Sequence, residues 1–286
     1  MVTPRRSVLF MPGSNARAHE KAKTIDADTI VFDLEDAVAP SAKSDARSLV
    51  LTALSSDDYG HRERVVRING TDTDWWQEDI AAIAKANPSA IVVPKVETPE
   101  TIVHVVAEIT RHAPNNTSAI WVMMETPLGF LNAADIASGH PRLTTLVIGT
   151  NDLVKDLRAS HTKGREPVIT ALGMALLAGR AHNLTVLDGV YNDFNDDVGL
   201  AAECKQACAM GFDGKTLIHP AQVDTANRIF APDAAAIDEA KRMIEAFTAA
   251  KAEGKGVTVL DGRMIEELHL VEARRVTAMA EAIKER

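Results

Sequence analysis

Acidic and basic side chains recur in this sequence just after short apolar runs, which is where a parallel sheet gathers its reactive groups. Glu125 follows AIWVMM and Asp152 follows the run that begins TLVIGT, so the two are expected to close neighbouring strands, ~4.8 Å apart in parallel pairing. Carboxylates that close repel each other unless a proton or a cation lies between them. Mg²⁺ suits such a pair, because it takes one or two protein carboxylates, keeps waters, and completes its octahedron with substrate oxygens. The competing reading makes each acid a cap of the helix after its strand. That fits Asp152 better than Glu125, which is followed by Thr126 and Pro127.

Arg67 ends the run RVVR, and its planar fork could grip a substrate carboxylate or an enolate oxygen; alternatively it bridges to the acids of DLED. Asp33, Glu35 and Asp36 in that stretch are expected to bond Arg67 and water on the cation. Lys95 is the one lysine at a strand end and could form a Schiff base, but neighbouring Glu97 points to an ion-paired, structural lysine. His19 and His219 lie near strand ends, whereas His104, His112, His161 and His182 fall on helices or loops and read as surface residues.

Eight apolar runs must position these groups, beginning at Ser7, Thr29, Arg64, Ala90, Ala119, Thr145, Leu184 and Gly211. Each is followed by a helix-like stretch, and near-continuous apolar strands alternating with helices predict a parallel sheet covered by helices. Eight such units predict closure into a (β/α)₈ barrel, with the chemistry at the C-terminal ends of its strands. Thr98-Pro99 marks one helix start, and the helix before Pro88 ends where proline requires it. The remaining chain predicts helices over Ala221–Phe230 and Ala234–Ala252, a turn at Gly254–Gly256, and a last helix from Met264. The domains are therefore expected to be a barrel over 1–232 and a helical extension over 233–286. In that last helix, Leu268, Val271, Val276 and Met279 form an apolar stripe expected to dock on a neighbouring subunit.

Net charge is −9, and no basic run is longer than Arg5-Arg6, which disfavours nucleic acid as a partner. Apolar residues make up 46% of the chain, enough for a large core, yet no run is long enough to span a membrane. No signal-peptide core precedes the first strand, and Cys204 and Cys208 lie four apart in one helical segment. Reduced thiols and a cytoplasmic location are the expectation.

Taken in order, RRSVLFMPGSN, DTIVFDLEDAVAPSAKSDAR, VVRIN, VVPKVETPE, METPLGFLNAADIA, IGTNDL, LDGVYNDFND and GFDGKTLIHPAQV resemble one family, with GVTVLDGRMIE a weaker match. It is the citrate lyase β-subunit-like branch of the HpcH/HpaI aldolases, which includes malyl-CoA and citramalyl-CoA lyases. The resemblance runs essentially end to end. It implies a TIM barrel, Mg²⁺ held by Glu125 and Asp152, and Arg67 on the substrate's oxygens. It also implies a CoA thioester arm passing Phe10 and Lys21, a 2-oxo acid as the other product, and a homotrimer or hexamer. Relatives carry an acid/base Asp in a terminal Met-Ile-Asp motif reached from the neighbouring subunit; here Glu266 stands in that place, and Asn15 stands where some relatives have Arg. The expected reaction is Mg²⁺-dependent cleavage of a carboxylated 3-hydroxyacyl-CoA, such as malyl-CoA or citramalyl-CoA. Three alternatives stand beside it: a citrate lyase β-subunit working on an acyl carrier protein, a CoA-independent 2-keto-acid aldolase, and a catalytically silent barrel.

Overall fold

The eight apolar runs form eight strands in the computed structural model, which describes residues 2–286. They are β1 (Ser7–Pro12), β2 (Thr29–Asp33), β3 (Glu63–Arg67), β4 (Ala90–Val93), β5 (Ala119–Met124), β6 (Leu143–Ile148), β7 (Thr185–Asp188) and β8 (Gly214–Leu217). Every neighbouring pair is parallel, and β8 pairs back onto β1, so the sheet closes in sequence order. The protein is a (β/α)₈ barrel, as the alternation of runs and helices predicts.

Alternate residues of each strand face inward. Val8, Val31, Val65, Val92, Met123 and Leu187 pack there against Trp121. Arg5 plugs the N-terminal end: its guanidinium lies 4.7 Å from the Trp121 ring centroid and donates to Glu63, Thr145 and Thr185. A charge so enclosed is tolerable because its donors are paired. The C-terminal end is left for the acids.

Around the sheet run α1 (Ala16–Ala22), α2 (Lys43–Leu54), α3 (Trp76–Ile83), α4 (Pro99–His112), α5 (Pro127–Leu131), α6 (Ala133–Ser138), α7 (Thr150–Asp156), α8 (Ile169–Ala181), α9 (Asp197–Met210) and α10 (Val223–Phe230). The α4 helix shows the pattern at its simplest, burying Ile102, Val105 and Ile109 at helical spacing and leaving its polar face to solvent. Among the described residues no helix is long and apolar enough to cross a membrane.

Contacts divide the chain into two compact units, Arg5–Asn227 and a second one made of Arg228–Arg286 with the extreme N-terminal residues. The second unit contains α11 (Ala234–Ala252), β9 (Thr258–Leu260), β10 (Arg263–Ile265) and α12 (Glu267–Lys284). Here the sequence expectation needs correction, because Met264 lies on a strand and the last helix begins at Glu267. Asp261 and Gly262 both take left-handed φ, 50° and 78°, which is the turn an Asp-Gly pair makes between antiparallel strands. Ile265 and Leu270 then pack on Phe247 of α11. The predicted stripe on α12 is split: Leu268 and Val271 are exposed, Val276 and Met279 half-buried, and the inner face is Leu270, Ala273 and Ala280.

Candidate active site

Strand register places Asp33 beside Arg67 on adjacent strands. Arg67 Nε and Nη2 donate to the two carboxylate oxygens of Asp33, each at 2.7 Å. The fork expected to grip substrate is thus spent on Asp33, which is the structural bridge that the DLED acids allowed. Nη1 remains, 2.8 Å from Glu35 Oε2 and 3.7 Å from Asp36, and the guanidinium lies 5.2 Å from the Phe10 ring centroid. Asp33 is itself held by the backbone N–H groups of Glu35 and Ala37. A guanidinium fixed this way projects one donor edge into the barrel mouth without needing to reorganise.

Glu125 directly follows β5 and is 3% exposed. Its Oε1 accepts the backbone N–H of Lys95 at 2.8 Å. Its Oε2 occupies space that only a glycine could leave: a Cβ at Gly149 would stand 2.4 Å from that oxygen. Burial, and then the nearby Glu35 charge, push Glu125 up to about 7. Glu35 is also pushed up to about 7, mainly by burial, with Arg67 pulling the other way.

Asp152 does not close β6. The strand ends at Ile148, Gly149 is the residue before the helix, and Asp152 falls in the first turn of α7. An acid there is favoured by the helix dipole, and it still lines the same cavity as Glu125 and Arg67. That cavity holds about 400 Å³ and also takes in Phe10, Asp33, Asp36 and Thr216.

Lys95 is the site residue whose part the sequence conceals. Its Nζ is 3.5 Å from Glu35 Oε1 and 3.9 Å from Asp152 Oδ2, so its partners are these acids and not the adjacent Glu97. Burial works against the ammonium, yet Glu35 and then Asp152 outweigh it and raise its pKa. Only the strand-end position of a lysine could have signalled this.

Other candidates fall outside. Lys21 is exposed on α1 and does not line the cavity. Asn15 caps α1, its side-chain oxygen accepting from Ala18 N at 3.1 Å. His19 is buried edge-on against Phe32, with Nε2 3.2 Å from Pro12 O. His219 is exposed and stacks on Phe194. Cys204 is buried and Cys208 exposed, both free thiols. Asp188, at the end of β7, belongs to a buried network: Arg165 Nη1 and Lys215 Nζ each reach it at 2.7 Å, and Lys215 also bonds Glu203. Glu266 precedes α12 half-buried, its backbone N–H donating to His269 Nδ1 at 3.0 Å.

Among the described residues no three His, Cys, Asp or Glu side chains converge as a ready metal cage. Of the acids that face the cavity, Asp33 is taken up by Arg67, while Glu125 and Asp152 are not, and Glu125 is held off its usual acidity first by burial and then by like charge. Such a donor set fits a hard divalent cation that draws its remaining ligands from water and substrate.

The HpcH/HpaI aldolase/citrate lyase family matches residues 6–220. The chain belongs to this family. Across 280 residues it is 52% identical to a (3S)-malyl-CoA thioesterase of Cereibacter sphaeroides, covering 98% of this chain and 96% of the relative. It is 34% identical to the citrate lyase subunit beta of Escherichia coli K12, over 97% of this chain and 93% of that one. Among solved structures, the CitE protein of Mycobacterium tuberculosis in complex with magnesium, acetoacetate and coenzyme A superposes with a TM-score of 0.76. That comparison has 27% identity and covers 96% of this chain and 97% of the other. Family membership makes the chain an enzyme of an aldolase and lyase lineage, with its barrel mouth as the place to look for the chemistry.

Proposed function

We propose that the protein is a Mg²⁺-dependent carbon–carbon lyase that cleaves a carboxylated 3-hydroxyacyl-CoA of the malyl-CoA class. The observation that carries this reading is the meeting of Glu125, Asp152 and Arg67, whose Nη1 is paired with Glu35, in a single cavity of about 400 Å³. Glu125 and Asp152 would hold Mg²⁺, which would supply Lewis-acid polarisation of the hydroxyl and the adjacent carboxylate. Glu35 and Asp36 sit beside Arg67 and orient it and the surrounding water.

In the cleavage direction a carboxylate base takes the 3-hydroxyl proton. The bond between the hydroxyl-bearing carbon and the α-carbon breaks, and its electron pair passes into the thioester enolate. Arg67 Nη1 faces that developing oxygen charge, and a proton returned to the α-carbon releases acyl-CoA and a 2-oxo acid. Glu266, contributed by a neighbouring subunit of a homotrimer or hexamer, is the proposed acid/base. The thioester arm leaves past Phe10, which lines the cavity, and the exposed Lys21.

A second reading has a specific observation in its favour. Relatives 52% identical to this chain are named (3S)-malyl-CoA thioesterases, so the same substrate would lose its thioester bond to water while its carbon skeleton stays whole. One experiment decides. With (3S)-malyl-CoA and Mg²⁺, the lyase yields acetyl-CoA and glyoxylate, whereas hydrolysis yields malate and free CoA thiol. Malate and thiol as the first products would replace the lyase reading with the hydrolase one. Lack of turnover on any free CoA thioester, with turnover on a carrier-protein thioester, would move the chain to the citrate lyase subunit role.

A further inference from the structure

We propose that Lys95 is a positioning residue with two tasks: its backbone sets Glu125, and its ammonium is a resident counter-charge that an incoming divalent cation must displace. The proposal rests on the metal reading above. It begins from the backbone, where Lys95 has φ of +50°, a left-handed conformation that non-glycine residues rarely adopt. Nothing in a lysine side chain favours it. What the conformation achieves is an N–H aimed at Glu125 Oε1, 2.8 Å away.

The side chain makes the second half of the case. Nζ stands 3.5 Å from Glu35 and 3.9 Å from Asp152, and the charges of Asp36 and Glu125 also act on it. One ammonium therefore faces the acids that would otherwise repel one another around the mouth. Lys95 is also partly open to solvent, its side chain 41% exposed, so it has somewhere to go. A cation entering between Glu125 and Asp152 brings like charge against that ammonium. Either the lysine stays and repels it, or it swings out and forfeits Glu35 and Asp152. Both outcomes weaken cation binding, so Lys95 sets the affinity of the site and keeps its cation exchangeable.

Calorimetric titration of Mg²⁺ alone into the intact, chelator-stripped protein tests this without any assay of turnover. Lys95→Met, which removes the charge and keeps the backbone donor, should bind Mg²⁺ at least fivefold more tightly than wild type. The gain should shrink at high ionic strength, as an effect between charges must. Lys95→Gly, which also removes the charge but accepts left-handed φ without strain, should tighten binding as much or more. Lys95→Arg should stay within twofold of wild type. Unchanged or weaker binding in both the Met and Gly variants, with their melting curves showing folded protein, overturns the proposal. Wild-type protein that takes up no Mg²⁺ overturns the metal reading instead, and that result needs no variant.

Discussion

Glu35 and Glu125 are both buried at the barrel mouth, and both are pushed from 4.5 to about 7. A folded state that holds protons the unfolded chain has already released is stabilised by acid. Their contribution is complete below pH 4.5 and is lost as the pH climbs through about 7, a swing on the order of 3 kcal/mol for each group. Metal-free protein should accordingly show a falling urea midpoint between pH 5 and pH 8. Glu125→Gln should flatten that slope, and saturating Mg²⁺ should offset it. A metal-free midpoint that rises over this range, with Glu125→Gln showing the same rise, would contradict the burial argument. Arg67 belongs to the same scale. Arg67→Lys keeps the charge but loses the paired bonds to Asp33 and the edge facing the cavity. We expect kcat/KM to fall by ~100-fold or more, as for loss of a ~3 kcal/mol contact to the transition state; wild-type kinetics would leave Arg67 a purely structural place. The sequence shows that an arginine ends the third run and that three acids, Asp33, Glu35 and Asp36, follow the second. It could not show which acid takes the fork, because that follows from the register of β2 against β3.

At the scale of elements the strands were the most legible part, since an apolar run buried on both faces has few other places to go. Closure into a barrel followed from counting them. The errors lie where a strand hands over to something else. Asp152 reads from the sequence as the end of β6 because apolar residues run up to Ile148, but the chain enters α7 at once and carries the acid into its first turn. The hairpin of β9 and β10 is hidden in the sequence because the helical pattern extends backwards to Met264, past an Asp-Gly pair that signals a two-residue turn. The sequence points Lys95 to the wrong partner, since Glu97 is near in sequence while Glu35 and Asp152 are near in space. The same hand-over after β6 carries a test. Gly149 has a φ of −103°, which any residue can adopt, so what it contributes is space and not conformational freedom. Gly149→Ala would put a methyl 2.4 Å from Glu125 Oε2 and 2.5 Å from its Cβ, and the Glu125 side chain must turn away. The variant should remain folded, with Mg²⁺ affinity reduced at least tenfold by calorimetry. Retained affinity would show that Glu125 need not stand where this cradle holds it.

For the whole molecule, the question is what the second compact unit does. It has its own small core, Phe247, Ile265 and Leu270, and Arg286 bonds Pro4 O at the other end of the chain. It also presents Val259, Met264, Leu268 and Val271, each more than 60% exposed. Large apolar side chains grouped around one hairpin and helix start are the kind of surface that another subunit covers. Glu266 stands among them at the junction of β10 and α12. If that surface seats Glu266 at a neighbour's barrel mouth, each active site draws Arg67 from one subunit and its acid/base from the next. Subunits carrying Glu266→Gln and subunits carrying Arg67→Ala should each be nearly inactive as pure oligomers. Dissociated and reassembled together, they should regain measurable activity, because some sites then combine an intact Arg67 with an intact Glu266. The recovered fraction should follow the mixing ratio, peaking near equal amounts, as a site shared between two subunits requires. Leu268→Glu with Val271→Glu should abolish the recovery by separating the subunits, seen as a smaller mass in light scattering. Mixed oligomers that form and stay inactive would place acid and arginine in the same subunit, or leave Glu266 outside the chemistry altogether.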